Sequence, residues 1–217
     1  MGDFGPEEVK MLTTRRWVFV AAALSLALGS ASASAATVVF DNFGAEDTYN
    51  PYSSSPLSGK HSTIGEYEYG WAFTPSASGF LSDVWAAAGL VNGENNVTFT
   101  LQASVGGVPG DVLWSNQWLN AMGPLGNMNP PLHWSGNGPL LEAGAEYYLV
   151  GSGGDTTWAG WNANSIGAQG VWVVRQGGGD WIVAPPGTQD TFRIAVNVPE
   201  PAALVLLGAA LLVLRRR

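Results

Sequence analysis

The sequence predicts an all-β fold, a β-sandwich of jelly-roll type, and three observations predict it. The 29 glycines and 13 prolines among 217 residues penalise helix interiors, while an aromatic content of 11% suits strands. Short runs alternate apolar and polar residues with period two, the pattern of a strand buried on one face. Clusters of glycine, asparagine and proline separate those runs and supply the backbone geometry of tight turns.

Along the chain, strands are expected around residues 69–73, 80–87, 97–103, 112–117, 146–150, 156–161, 170–174 and 191–196. In the third of these, Val97, Phe99, Leu101 and Ala103 share one face and Thr98, Thr100 and Gln102 the other. In the last, Phe192, Ile194 and Val196 point one way. Turns are expected at Asn92-Gly93, from Gly106 to Gly110, from Gly151 to Asp155 and from Gln176 to Asp180. Eight or more strands at this spacing suit a sandwich. With 46% hydrophobic and 12% charged residues, the chain is long enough for one filled core and too apolar for disorder.

The absence of cysteine removes disulfides, thiolate zinc sites and cysteine nucleophiles together. The two histidines, His61 and His133, lie far apart without helical spacing, so they read as surface or turn residues and give no histidine metal cluster. Charge is unevenly placed. Of nine basic residues, Lys10, Arg15 and Arg16 precede one apolar run, and Arg215, Arg216 and Arg217 follow another. Retention of positive charge on the cytoplasmic side during insertion asks for this placement. Residues 36–198 keep Lys60, Arg175 and Arg193 against thirteen carboxylates, 3 minus 13, a net charge of minus 10. Nucleic acid is therefore not an expected partner, because phosphate binding needs a basic face.

Residues 1–35 read as a signal peptide with a signal helix. Arg15 and Arg16 open the apolar run 17–28, and small residues follow to Ala33-Ser34-Ala35, which predicts cleavage by signal peptidase before Ala36. The twelve-residue apolar core is short against the ~20 residues that span a bilayer. Met11 is the alternative start, since residues 1–10 are acidic and add nothing to export. Residues 36–197 are the exported domain, and 198–217 form a tail. In the tail, Pro199, Glu200 and Pro201 hold an extended segment before the apolar run 202–214. That run reaches ~20 Å as a helix, marginal for a ~30 Å hydrocarbon layer. Three closing arginines favour a membrane helix over a buried one, because they can snorkel at an interface.

The order of Pro199, Glu200 and Pro201, the apolar run 202–214 and Arg215, Arg216 and Arg217, together with an N-terminal signal, resembles the PEP-CTERM sorting-signal proteins. The resemblance implies export by a Gram-negative bacterium that makes exopolysaccharide, and processing by an exosortase. Pro199, Glu200 and Pro201 would be recognised, Arg215, Arg216 and Arg217 would flank the membrane, and catalysis would belong to the exosortase. The tail would hold the chain in the membrane until processing. The domain is also similar to the choice-of-anchor group of surface β-sandwiches, through Trp71-Ala72-Phe73, the run from Gly79 to Val84, Gly107-Val108-Pro109-Gly110 before Val112-Leu113, and Leu141-Glu142-Ala143-Gly144 before Tyr147-Tyr148-Leu149. That group brings no chemistry with it.

Nine tryptophans follow the signal. Those on strands, such as Trp85 and Trp172, are expected in the core, since an indole buries a large area. Trp118 and Trp134 border or enter the Pro-, Gly- and Asn-rich stretch 119–139 and are the expected exposed pair, able to stack on a sugar. No catalytic motif is present, and Glu66 and Glu68, one strand face apart from Tyr67 and Tyr69, read as the solvent side of a strand. No enzyme, cofactor or metal is expected; calcium at Asp41, Glu46 and Asp47, or at Asp155 and Asp180, lacks the spacing of a known calcium loop. The expected function is a non-catalytic surface or extracellular-matrix protein associated with exopolysaccharide or biofilm. The alternatives are a carbohydrate-binding module and, more distantly, a glycoside hydrolase.

Overall fold

The computed structural model describes residues 36–198, and these form an all-β body of fifteen strands. In order they are β1 (Ala36–Asp41), β2 (Asn50–Ser58), β3 (Tyr67–Phe73), β4 (Gly79–Ala86), β5 (Ala88–Asn92), β6 (Asn96–Val105), β7 (Val108–Leu119), β8 (Gly123–Pro124), β9 (Leu132–Ser135), β10 (Leu140–Leu141), β11 (Tyr147–Gly153), β12 (Trp158–Ala163), β13 (Gln169–Gln176), β14 (Ile182–Thr188) and β15 (Phe192–Asn197). A five-stranded sheet runs β1-β15-β4-β10, with β9 also on β4. A ten-stranded sheet runs β7-β6-β11-β3-β2-β12-β5-β8, with β13 on β3 and β14 on β13. All pairings are antiparallel except the short β5–β8 contact.

Turn chemistry closes the hairpins as the residues dictate. Gly106 and Gly107 both take positive φ (64° and 81°) between β6 and β7, the two-residue geometry that matches strand twist. Gly93 at φ 81° turns the chain from β5 to β6, where an added Cβ would lie 2.0 Å from the Thr156 carbonyl oxygen.

The two sheets share one core. Phe40 of β1 and Phe192 of β15 stack at 4.5 Å, and Phe192 meets Phe73 of β3 and Trp161 of β12 in the opposite sheet at 5.6 and 5.7 Å. Phe99 of β6 sets its edge on Trp161 at 4.8 Å and on Trp118 at 5.9 Å. Each such ring is worth roughly 1.5–3 kcal/mol on burial, so the aromatic centre is a principal adhesive between the sheets.

At one corner the chain passes between the sheets. Strand β4 belongs to the smaller sheet, and after Ala87 the chain continues as β5 in the larger one. Asp190 bridges to Ala163 at the end of β12 and the chain then enters β15 of the smaller sheet. Strands that change sheet in this way make the corners of packed sheets.

Candidate functional site

Two regions gather the polar and aromatic chemistry, the corner and the outer face of the smaller sheet. The corner is built from side chains that imitate a backbone. Asn42, just after β1, donates from Nδ2 to the Asp190 carbonyl oxygen at 2.8 Å and to Gln189 Oε1 at 3.2 Å. Its Oδ1 accepts from the Phe192 N–H at 2.7 Å. Gln189 Nε2 donates to the Ala72 carbonyl on β3 at 3.0 Å, and Asn164 Nδ2 donates to the Gln189 carbonyl at 2.6 Å. Thr191 N–H reaches the Asn162 carbonyl at 2.7 Å, and Trp161 Nε1 donates to the Thr191 carbonyl at 3.0 Å. A strand changing sheets leaves ladder groups without their usual partners, and buried groups of that kind must be satisfied elsewhere.

Asp190 lies at the centre of this network, only 1% exposed. Trp71 Nε1 donates to its Oδ2 at 2.7 Å, and Ser55 also hydrogen-bonds to it. Burial pushes its carboxyl up to about 7, against the smaller downward pull of the Ser55 and Trp71 hydrogen bonds. No ion pair reaches it among the described residues. Tyr69 is raised as well, by burial first and then by Tyr67 and Asp190. Asp190 is thus a carboxyl raised by burial whose side chain is closed to solvent.

The outer face of the smaller sheet carries a row set by strand register. Asp41 pairs with Arg193, Arg193 with Trp85, and Trp85 with His133, so one line crosses β1, β15, β4 and β9. Arg193 Nε donates to Asp41 Oδ2 at 2.8 Å, and its Nη2 to Asp47 Oδ1 at 2.6 Å. Its guanidinium lies 5.4 Å from the Trp85 ring and 5.1 Å from the Phe43 ring. His133 stacks on Trp85 at 4.5 Å, with the rings 2° from parallel, and its Nε2 meets Asp83 Oδ1 at 2.9 Å. With Arg193 on one side and His133 on the other, Trp85 has no free face for a sugar ring.

The predicted site residues divide clearly. Ala33, Ala35, Pro199, Glu200, Pro201, Arg215, Arg216 and Arg217 lie outside the described residues. Ala36 is the first residue of β1, paired with Asn197. The expectation of an exposed pair is overturned for Trp118 and met only in part by Trp134. Trp118 lies on β7, 9% exposed, with its indole N–H on the His133 carbonyl at 3.2 Å. Trp134 lies on β9, half-buried against the core, and sets its ring on Trp114 at 5.0 Å. The chain near them is glycine- and proline-rich, yet both are held in strands whose inner faces meet the core. Trp85 and Trp172, expected inside, are half-buried instead; Trp172 stacks on Tyr69 at 5.6 Å.

Four of the acidic residues considered for calcium or catalysis have side-chain partners of their own. Asp41 and Asp47 bind Arg193, Asp155 Oδ1 meets His61 Nδ1 at 2.7 Å, and Glu68 Oε2 accepts from Arg175 Nη2 at 2.7 Å. Among the described residues, no group of three or more histidines and carboxylates could hold a metal ion. Sequence reasoning missed Asp190. Its signal was an acid in Gln189-Asp190-Thr191 directly before an apolar strand, a pattern shared with ordinary exposed turns. No protein-family model, curated protein or solved structure matches the chain.

Proposed function

We propose that the chain is an exported, non-catalytic surface or extracellular-matrix protein of a Gram-negative bacterium that makes exopolysaccharide. Signal peptidase removes residues 1–35, and an exosortase recognises Pro199, Glu200 and Pro201 while the apolar run 202–214 holds the chain in the membrane. The body is a β-sandwich of jelly-roll type; antiparallel sheets sharing one core, and strands that cross between them at a corner, support that reading.

One observation carries the functional reading: six of the nine basic residues flank the two apolar runs, leaving a body with three cations and thirteen carboxylates. Two of those three cations, Arg175 and Arg193, are bound to carboxylates of the body itself. A surface of this sign stays soluble and resists self-association in a polyanionic matrix. The absence of a free indole face on Trp85, and the burial of Trp118, weigh against a glycan platform at those positions.

The test is Glu200→Gln in an exosortase-positive host, following mass and membrane fractionation. Loss of processing, with the unprocessed chain retained in the membrane, is the expected result. A product of the same mass and fraction as the parent would overturn the recognition role.

A further inference from the structure

The outer face of the smaller sheet changes character along its length. One row is Asp41, Arg193, Trp85 and His133, charged and internally paired. At the other end the row is Ala36, Asn197, Phe80 and Leu140, one residue from each of β1, β15, β4 and β10. Its side chains carry no charge, and removal of residues 1–35 would add the free α-amino group of Ala36. Phe80 and Leu140 are each 50% exposed, and Val38, two residues along β1 from Ala36, is 48% exposed. Four strands at ~4.8 Å spacing make this row ~15 Å wide. The nearest acids in the fold's own register are Asp83, one row inward and paired with His133, and Glu142, two residues beyond Leu140.

The tail leaves the body from this row. Asn197 ends β15, and Val198 packs against the core, so three residues, Pro199, Glu200 and Pro201, separate the packed chain from the apolar run at 202. Fully extended, three residues span at most ~11 Å. A tail seated in a bilayer therefore keeps this end of the sheet within ~11 Å of the apolar run, a reach that crosses a headgroup layer of ~5–7 Å a side (~40–45 Å less the ~30 Å core) with a few ångströms to spare.

We propose that the row Ala36, Asn197, Phe80 and Leu140, with Val38, is a membrane-apposed face that rests on the zwitterionic headgroup surface of the bilayer holding the tail. The proposal rests on the tail reading given above. Three half-exposed apolar side chains bind lipid weakly when free in solution. The tether supplies the missing affinity by raising their effective concentration at the surface. Once the tail is cut, the contact is lost, and the face becomes part of a freely soluble body.

The chain contains no cysteine, so single-cysteine variants report one position each. Leu140→Cys and Ile166→Cys, the second 58% exposed beside Ser165, which bonds the Thr48 carbonyl beyond the Asp41 end of β1, are labelled with an environment-sensitive fluorophore in the chain from Ala36 to Arg217. Each is reconstituted in phosphatidylcholine vesicles carrying a nitroxide on the headgroup. Flotation with the vesicles, and quenching several-fold stronger at residue 140 than at 166, is the expected result. Flotation with equal quenching at both positions overturns the membrane-apposed face and leaves the tail reading intact. Failure to float overturns both. A Phe80→Asp companion on the Leu140→Cys background separates contact from tether length: it should still float, with quenching at 140 reduced to the level at 166, and undiminished quenching counts against the face.

Discussion

Phe192 and Asp190 stand two residues apart and hold the sheets together by opposite physics. Phe192 works by area: its ring meets Phe40, Phe73 and Trp161, and no contact depends on a single direction. Asp190 works by direction, with Trp71 Nε1 aimed at one oxygen and the surrounding network of Asn42, Gln189 and Asn164 fixing where the chain may pass. The aromatic centre supplies adhesion. The corner supplies register, since a shift of the crossing segment by one residue would strand several buried donors at once.

The largest effect should come from the centre. Phe192→Ala removes a fully buried ring and should cost about 3–5 kcal/mol, read as the shift in urea unfolding free energy. A loss below about 2 kcal/mol would mean that the sheets collapse onto the cavity and that shape matters less than described.

The next test separates the two regions by pH. Because burial raises the Asp190 carboxyl to about 7 in the folded state, the folded protein holds that proton more firmly than the unfolded chain. Its contribution is therefore unpenalised below about pH 4. Stability then falls as pH rises to about 7, and levels off above, by about 4 kcal/mol at 1.36 kcal/mol per unit. Asp190→Asn should remove this component, so that the difference between parent and variant changes by that order between pH 4 and pH 8. Parallel profiles across that range would show that Asp190 keeps an ordinary carboxyl.

A smaller effect belongs to its donor. Trp71→Phe keeps most of the ring and deletes one N–H, which should cost about 1.5–3 kcal/mol at pH 8, where the acceptor is charged, and less at pH 5. Equal costs at the two pH values would argue against a charged acceptor. Smallest of all is Asp47→Ala on the outer face, under about 1 kcal/mol in chemical denaturation, because that ion pair is open to solvent and Arg193 retains Asp41. A larger loss would make the outer row a structural element in its own right.

The all-β class and the strands with alternating faces were legible in the sequence. Val97, Phe99 and Leu101 do point to the core from β6, as do Phe192, Ile194 and Val196 from β15. Strand β2 was not legible: Asn50–Ser58 has two prolines, four serines and no apolar alternation, and it is a strand because β12 pairs with it. Strand β14 hides behind Pro185 and Pro186 in the same way, held by β13. Trp118 misled because local composition describes the loop beside it and says nothing of the face its strand turns inward. The corner was illegible for a related reason. Asn42 and Asp190 are 148 residues apart, and only the crossing of strands between sheets makes one the partner of the other.

The position of β15 has a mechanical consequence. It lies between β1 and β4, bonded along both edges, and Asn197 at its end is where any pull from the tail enters the body. If the tail anchors the body as proposed, a pull along β15 loads two ladders in shear, and they must yield together. An edge strand such as β7 pulled sideways would open one bond at a time. A domain hung from an interior strand would resist such a pull better than one hung from an edge strand.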